Sequence, residues 1–306
     1  MVGAAIARDL SLRGASCVLV EAGNDVGAGT SKANTAILHT GYDTKPGTIE
    51  SELVPRGYEL LASYAERVGI PVAKIGALMV AWTPEQEASL PEIAQNARQV
   101  GVTDTRAVEV EELYRREPAL GDGAQGCLEI PGEGIICPFT TALAFATEAL
   151  EAGGLLALCA RVSGISDTTG ADGRPLHRMQ TARGELTASF VVNAAGLHSD
   201  EIDAMLGRNE FTIKPRRGEL VVYDKLARSL VNHVLLPVPT AKTKGVLVSP
   251  TVYGNVLLGP TADDVPSRED RSTTAAGLEY LLDAGSRLMP ALADHEVTAT
   301  YVGLRA

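Results

Sequence analysis

The opening twenty-odd residues constrain this chain most: an apolar helix, a tight turn and a short strand that ends in a carboxylate. Over residues 2–12, Ile6 and Leu10 fall four apart among small alanines, which is helical spacing. Gly14 ends that helix. Residues 16–20 (SCVLV) form a continuous apolar run that stops at Glu21, as expected of a strand buried on both faces of a parallel sheet. A Gly-rich loop follows over 23–29. A second α/β stretch comes later. It predicts a helix over 140–152, strands over 155–165 and 176–181 with a polar turn at Asp172–Gly173, a buried strand over 190–194 (FVVNA), and a helix over about 199–206.

Between and after these stretches the pattern changes. Residues 50–68 predict a helix broken by Pro55 near its start, 74–82 a strand, and 84–100 and 109–116 helices. Beyond Phe211 the chain is strand-rich, at 219–223, 234–237, 245–249, 255–259 and 297–302, with a helix over 273–288. The expected fold class is therefore α/β, with two discontinuous domains. Residues 1–45 and 138–207 make a cofactor domain, and 46–137 and 208–300 an α+β substrate domain with a mostly antiparallel sheet.

Composition narrows the partners. With 45% hydrophobic residues in 306, a sizeable core can form, and 31 glycines beside 4% aromatics suit an α/β chain with many tight turns. A net charge of −11 argues against a nucleic-acid partner, because phosphate binding needs a basic surface. No apolar run is long enough to span a membrane, and Arg8 and Asp9 interrupt the opening segment, so it does not read as a signal peptide. Cys17, Cys127, Cys137 and Cys159 form no CxxC pair and no metal-ligand spacing; they read as small buried residues in a reducing cytoplasm. No metal is expected.

The helix, strand and terminal Glu make half of a dinucleotide-binding unit, in which a carboxylate takes hydrogen bonds from ribose and a glycine lets helix and strand pack closely. Gly3 and Glu21 fill those places. An ordinary α/β unit whose strand happens to end in Glu would look the same. A nicotinamide-dependent enzyme would need a complete Gly-x-Gly-x-x-Gly turn, and none occurs.

The residues VGAAIARDLSLRGASCVLVEAG resemble the start of the FAD-dependent oxidoreductases of the D-amino-acid oxidase type. Three further stretches share the resemblance: GAGTSKANTAILHTGYD (27–43), SFVVNAAGLHSD (189–200) and YVGLRA (301–306). It implies a Rossmann-like FAD-binding domain whose first strand is missing, Met1 being an internal start. Residues 301–306 then begin a flavin-closing segment that is truncated. An in-frame stop codon directly before Met1 would remove that expectation.

The resemblance also implies site residues. Gly3, Glu21, Ala22, Thr30, Ser31, Asn34, Thr35, Val162, Ala195 and Gly196 would contact FAD. His39 is the candidate to take the substrate's hydroxyl proton, since imidazole titrates near neutral pH; it could instead only hydrogen-bond the loop. Arg217 and Arg305 are candidates to grip an anion with two hydrogen bonds. Arg216, Lys242 and Lys244 read as exposed charges, and His198 as a surface or helix-start residue. The expected activity is hydride transfer from the C–OH of a small anionic substrate to flavin, as in glycerol-3-phosphate dehydrogenases. L-2-hydroxyglutarate oxidases and dehydrogenases are the alternative, on the HTGYDTKPGT run, and an inactive fragment without cofactor a third. Electrons would pass to quinone or another acceptor, in the cytoplasm or peripherally at the inner membrane face.

Overall fold

The computed structural model describes residues 1–239 and 245–306, so Lys242 and Lys244 lie outside the described residues. Val2–Leu12 is a helix with Ala4, Ala7 and Ser11 buried, and Gly14 follows at φ 81°. It packs against the helix Pro138–Glu151. Arg8 joins the two by pairing with Glu148, its guanidinium 4.5 Å over the Tyr64 ring. Beside them Val18–Val20 pairs in parallel with Leu155–Ala157, the geometry that apolar runs joined through helices predict. Cys159, at φ 52°, then turns the chain into a three-stranded antiparallel sheet of Val162–Thr169, Pro175–Thr181 and Gly184–Ala188.

The largest layer is a nine-stranded, mostly antiparallel sheet built from both later stretches of sequence. Its central strand Ala77–Ala81 is buried at every position and pairs with Gly126–Ile130 on one side and, in parallel, with Val234–Pro237 on the other. The two-residue period of a strand divides its side chains between two cores. Leu78 and Val80 join Leu113, Leu281 and Met289 on one face; Ala77, Met79 and Ala81 join Leu90, Ala94 and Ala97 on the other. The helices Val110–Arg116 and Ala275–Leu288 cover the first face and Pro84–Gln99 the second. Each fully buried leucine stabilises this arrangement by about 1.5–3 kcal/mol.

Three expectations need correction. The helix Ile49–Val68 runs unbroken through Pro55: the capping box of Thr48 and Ser51 closes its first turn before the proline. Residues 190–194 are not a buried strand. Phe190 is 87% exposed, and no described strand pairs with the segment. Asn193 supplies a local alternative: its side chain donates to the Ser199 carbonyl and accepts from the Ala195 amide, folding the backbone into a turn. Among the cysteines, Cys127 and Cys137 are buried as expected, but Cys17 is only half-buried and Cys159 is exposed.

Candidate functional site

Two segments distant in sequence are stitched together at the junction between the parallel layer and the large sheet. One is the loop 27–36; the other is the strand Val297–Arg305, which pairs along the length of Arg216–Tyr223. Thr30 Oγ1 donates to the Leu304 carbonyl at 2.6 Å, and Tyr301 Oη to the Asn34 carbonyl at 2.7 Å. Gly303 makes this approach possible, since a Cβ there would lie 2.0 Å from the Ala33 carbonyl oxygen. Burial pushes the Tyr301 phenol up to about 12, so it stays a neutral donor. Asn34 folds the loop on itself, donating to the Ser31 carbonyl and accepting from the Ala36 amide. A largely apolar cavity of about 660 Å³ opens between loop and strand, lined by Thr30, Asn34, Tyr301 and Leu304 among others.

A smaller cavity of about 180 Å³ lies on the other side of that junction. Thr35, His39, Tyr42, Asp43, Thr261 and Arg305 contribute its polar wall, and Leu236, Pro237, Leu247 and Pro260 its apolar wall. Arg305 stands opposite Arg216 in register, so both side chains leave the same face of the strand pair. Between them Gly218 has no side chain, and Arg305 Nη2 lies 3.4 Å from where its Cβ would be. This clearance lets the guanidinium reach the Thr261 carbonyl at 2.9 Å. Burial, and then the charge of Arg216, lower the Arg305 pKa, yet a guanidinium remains a cation at any ordinary pH. Burial, reinforced by Asp43 and Glu133, raises the Tyr42 phenol well above its usual value, so it too stays neutral.

Arg217 does not share this cavity. Its Nε lies 3.3 Å from Oε1 of the fully buried Glu219, which also accepts from Thr274. The pairing follows from strand geometry, because residues two apart share a face. The R-x-E spacing in PRRGE already carried that signal. Arg216 bridges to Asp264 at the surface, and His198 to Glu201.

The remaining candidates gather at the start of the opening helix. The first intrahelical bond runs from the Ala5 amide to the Met1 carbonyl, so the amides of Val2, Gly3 and Ala4 precede it. A Cβ on Gly3 would touch Leu19 and Ala194 at 3.4 and 3.3 Å, which brings the strand and the 190–196 turn against this helix end. Ser31 Oγ accepts from the Met1 ammonium at 3.1 Å. Glu21 acts on that same ammonium and accepts from the Gly23 amide at 2.7 Å. Gly196 takes φ 58° with open space around it, and Ala22 and Ala195 are exposed. Val162 begins the neighbouring sheet. The donor set suits a dinucleotide: unpaired amides for a pyrophosphate, a carboxylate for ribose hydroxyls, and small residues that admit close backbone contact.

Sequence reading passed over Glu133. This carboxylate is fully buried between the strands Gly126–Ile130 and Gly134–Ile136, directly behind His39. A charged residue in a run as apolar as LEIPGEGII was the available signal, since a buried charge must be partnered. Among the described residues no cluster of His, Cys, Asp and Glu could hold a metal, and no helix is long and apolar enough to cross a membrane.

A nucleotide-type α/β layer laid against an antiparallel sheet, with a polar cavity near the junction, defines a cofactor-dependent oxidoreductase class of fold. The family model described as "DAO: FAD dependent oxidoreductase" matches residues 1–306. The chain belongs to this family of FAD-dependent oxidoreductases. A glycerol 3-phosphate dehydrogenase of Caloramator mitchellensis is 33% identical over 306 residues, covering 100% of this chain and 63% of that protein. The mitochondrial L-2-hydroxyglutarate dehydrogenase of Mus musculus is 31% identical over 276 residues, 86% of this chain and 59% of that protein. The chain thus spans less than two thirds of the length of either. The dithionite-reduced L-alpha-glycerophosphate oxidase of Mycoplasma pneumoniae, solved with FAD bound, superposes with a TM-score of 0.90 at 27% identity, over 99% of this chain and 79% of that one.

Proposed function

We propose that this chain forms the substrate-oxidising part of a flavoenzyme acting on glycerol 3-phosphate or a close analogue. The observation that carries the reading is the small cavity holding His39 and Arg305 together, beside the loop that continues to the opening helix. FAD, when bound, accepts hydride from the substrate carbon. The chain's own residues would do the rest. Arg305 grips the anionic end of the substrate. His39 takes the hydroxyl proton, and the neutral Tyr42 and the Thr261 wall limit water. The amides at Gly3, the hydroxyls of Thr30, Ser31 and Thr35, the Asn34 amide and the Glu21 carboxylate would hold the cofactor, with Ala22, Val162, Ala195 and Gly196 packing on it. Segments 1–45 and 138–207 would then form the FAD side, and 46–137 and 208–300 the substrate side.

The identity to both relatives leaves two substrates to compare. The chain, supplied with FAD under anaerobic conditions, is mixed with glycerol 3-phosphate or with L-2-hydroxyglutarate while the flavin absorbance is followed. The expected result is bleaching by glycerol 3-phosphate. Bleaching by L-2-hydroxyglutarate alone would replace the substrate, and bleaching by neither would remove the reading.

A further inference from the structure

We infer that Tyr42 is a specificity-determining residue whose hydroxyl hydrogen-bonds an uncharged hydroxyl of the substrate, at the end away from the substrate's anionic group. This rests on the proposed substrate and on Arg305 as the grip for its anion, and it gives the small cavity a second point of recognition. Tyr42 lines that cavity together with Arg305, yet the residue is only 4% exposed. Its side chain belongs to the core that holds Ala77, Met79, Leu236 and Leu247. Tyr42 accepts a hydrogen bond through its backbone carbonyl, and among the described residues no protein group partners its Oη. That oxygen is nevertheless not sealed off by protein. A phenol O–H in so buried a residue is costly to leave unpaired, and the cavity is where it meets a partner.

The turn around Tyr42 fixes where the hydroxyl stands. Asn96 Nδ2 donates to the Tyr42 carbonyl at 2.9 Å and to the Thr44 carbonyl at 3.1 Å. The Thr44 amide and hydroxyl both donate to the Gly41 carbonyl, at 3.0 and 2.7 Å. Gly41 lies at φ 91°, and a Cβ there would meet Pro55 at 3.1 Å. The ring therefore cannot swing out to water without undoing both this turn and its core contacts. Charge decides what kind of oxygen fits beside it. Burial, then the carboxylates of Asp43 and Glu133, raise the Tyr42 phenol well above its ordinary value, so it stays an uncharged O–H. The same two carboxylates oppose an anionic group placed against Tyr42, as they oppose its own phenolate. A hydroxyl meets no such opposition, since it can accept the Tyr42 proton and donate in turn. Arg305, in the same cavity, feels the charge of Arg216 instead. The cavity thus has a cationic end and an end biased against anions. Glycerol 3-phosphate, an anion at one end and a hydroxyl at the other, satisfies both, whereas L-2-hydroxyglutarate brings a second carboxylate toward Tyr42.

Tyr42→Phe removes the hydroxyl and keeps the ring. Two compounds probe it: glycerol 3-phosphate, and the analogue whose terminal hydroxymethyl group is replaced by methyl, which keeps the phosphate and the hydroxyl to be oxidised. Flavin reduction is followed anaerobically in the full chain supplied with FAD. Affinity is measured by calorimetry after the flavin has been reduced with dithionite, so that neither compound turns over. The wild type is expected to prefer glycerol 3-phosphate by roughly 10- to 100-fold, both in kcat/KM and in affinity, because the analogue leaves the buried O–H unmatched. The difference should lie in KM rather than kcat, since the recognised hydroxyl does not react. In Tyr42→Phe the preference falls to near unity, which a purely structural role of the ring would not produce. A wild type that treats the two compounds alike overturns the inference by itself, even if Tyr42→Phe does not fold. The same preference in wild type and Tyr42→Phe overturns it as well. If glycerol 3-phosphate neither bleaches the flavin nor binds, the substrate reading falls and the inference with it; if it bleaches the flavin without the preference, the inference alone falls.

Discussion

His39 presents one ring nitrogen to a buried carboxylate and the rest of its ring to a cavity that also holds a guanidinium. Glutamine can reproduce its bulk and a hydrogen bond but has no titratable lone pair. His39→Gln is therefore expected to lower flavin reduction roughly 10²–10⁴-fold, the usual contribution of a positioned base, while bound FAD measured at equilibrium stays the same. Equal losses of FAD and rate would reduce His39 to a part of the loop's scaffold. The residues near it were unequally legible. His39 could be read from its place after the loop, and Arg305 from the Gly-Leu-Arg run. Glu133 could not be assigned, because its partner Thr40 is 93 residues away and only the pairing of Ile37–Leu38 with Gly134–Ile136 brings them together. Arg217 was misleading for the opposite reason: its strand neighbour Glu219, two residues on, already takes up its charge.

At the scale of elements, the contact of the loop 27–36 with the strand Val297–Arg305 depends on one missing methyl group. Gly303→Ala would place a Cβ 2.0 Å from a backbone oxygen that cannot rotate away. Overpacking of this kind costs about 1–3 kcal/mol, and here it also pulls on the Thr30–Leu304 and Tyr301–Asn34 bonds. Thermal unfolding should show Tm lowered by roughly 2–10 °C. Gly164→Ala, on a strand where a Cβ meets nothing within 4 Å, is the control and should leave Tm nearly unchanged. Equal Tm values for both would mean that the loop does not lie on the strand. Most elements were legible from periodicity, because Val2–Leu12, Val234–Pro237 and Ala275–Leu288 carry a clear apolar stripe or run. Residues 190–194 were not, since an apolar run says that a strand is compatible with the sequence but not that a neighbour supplies its ladder. Pro55 misled in the same local way, its cost being offset by a cap seven residues earlier.

Across the whole molecule, a bidentate pair helps tie the α/β layer to the segment that follows the large sheet's edge. Arg268 donates to both carboxylate oxygens of Asp200, at 2.6 and 2.7 Å, and to the Leu197 carbonyl at 2.8 Å, while Asp200 accepts from the Ile213 amide. The Arg268 hydrogen bonds, followed by the Ile213 amide, hold the Asp200 carboxyl well below the usual carboxylate range. Glu129 is held low in the same manner by Arg116 and Arg106, and Asp264 by Arg216. A carboxyl whose pKa falls on folding contributes stability that is present above its unfolded value of about 3.9 and is lost as pH drops through the folded value. The global charge works the other way at first, since protonation relieves the repulsion of a −11 chain before a positive excess builds. The two effects separate in a comparison of the wild-type chain with Asp200→Asn by urea unfolding at a series of pH values. The wild type should be the more stable at pH 7, and the gap should close steadily as pH falls below about 4, because the unfolded chain takes up a proton at Asp200 there while the folded, paired carboxylate does not. The global term is nearly the same in both proteins and drops out of the difference. A gap that stays constant from pH 7 to pH 3 would show that Asp200 matters by its shape rather than its charge, and the tie would then rest on the other contacts of Arg268, with Glu201 and with the Leu197 and Ile213 carbonyls.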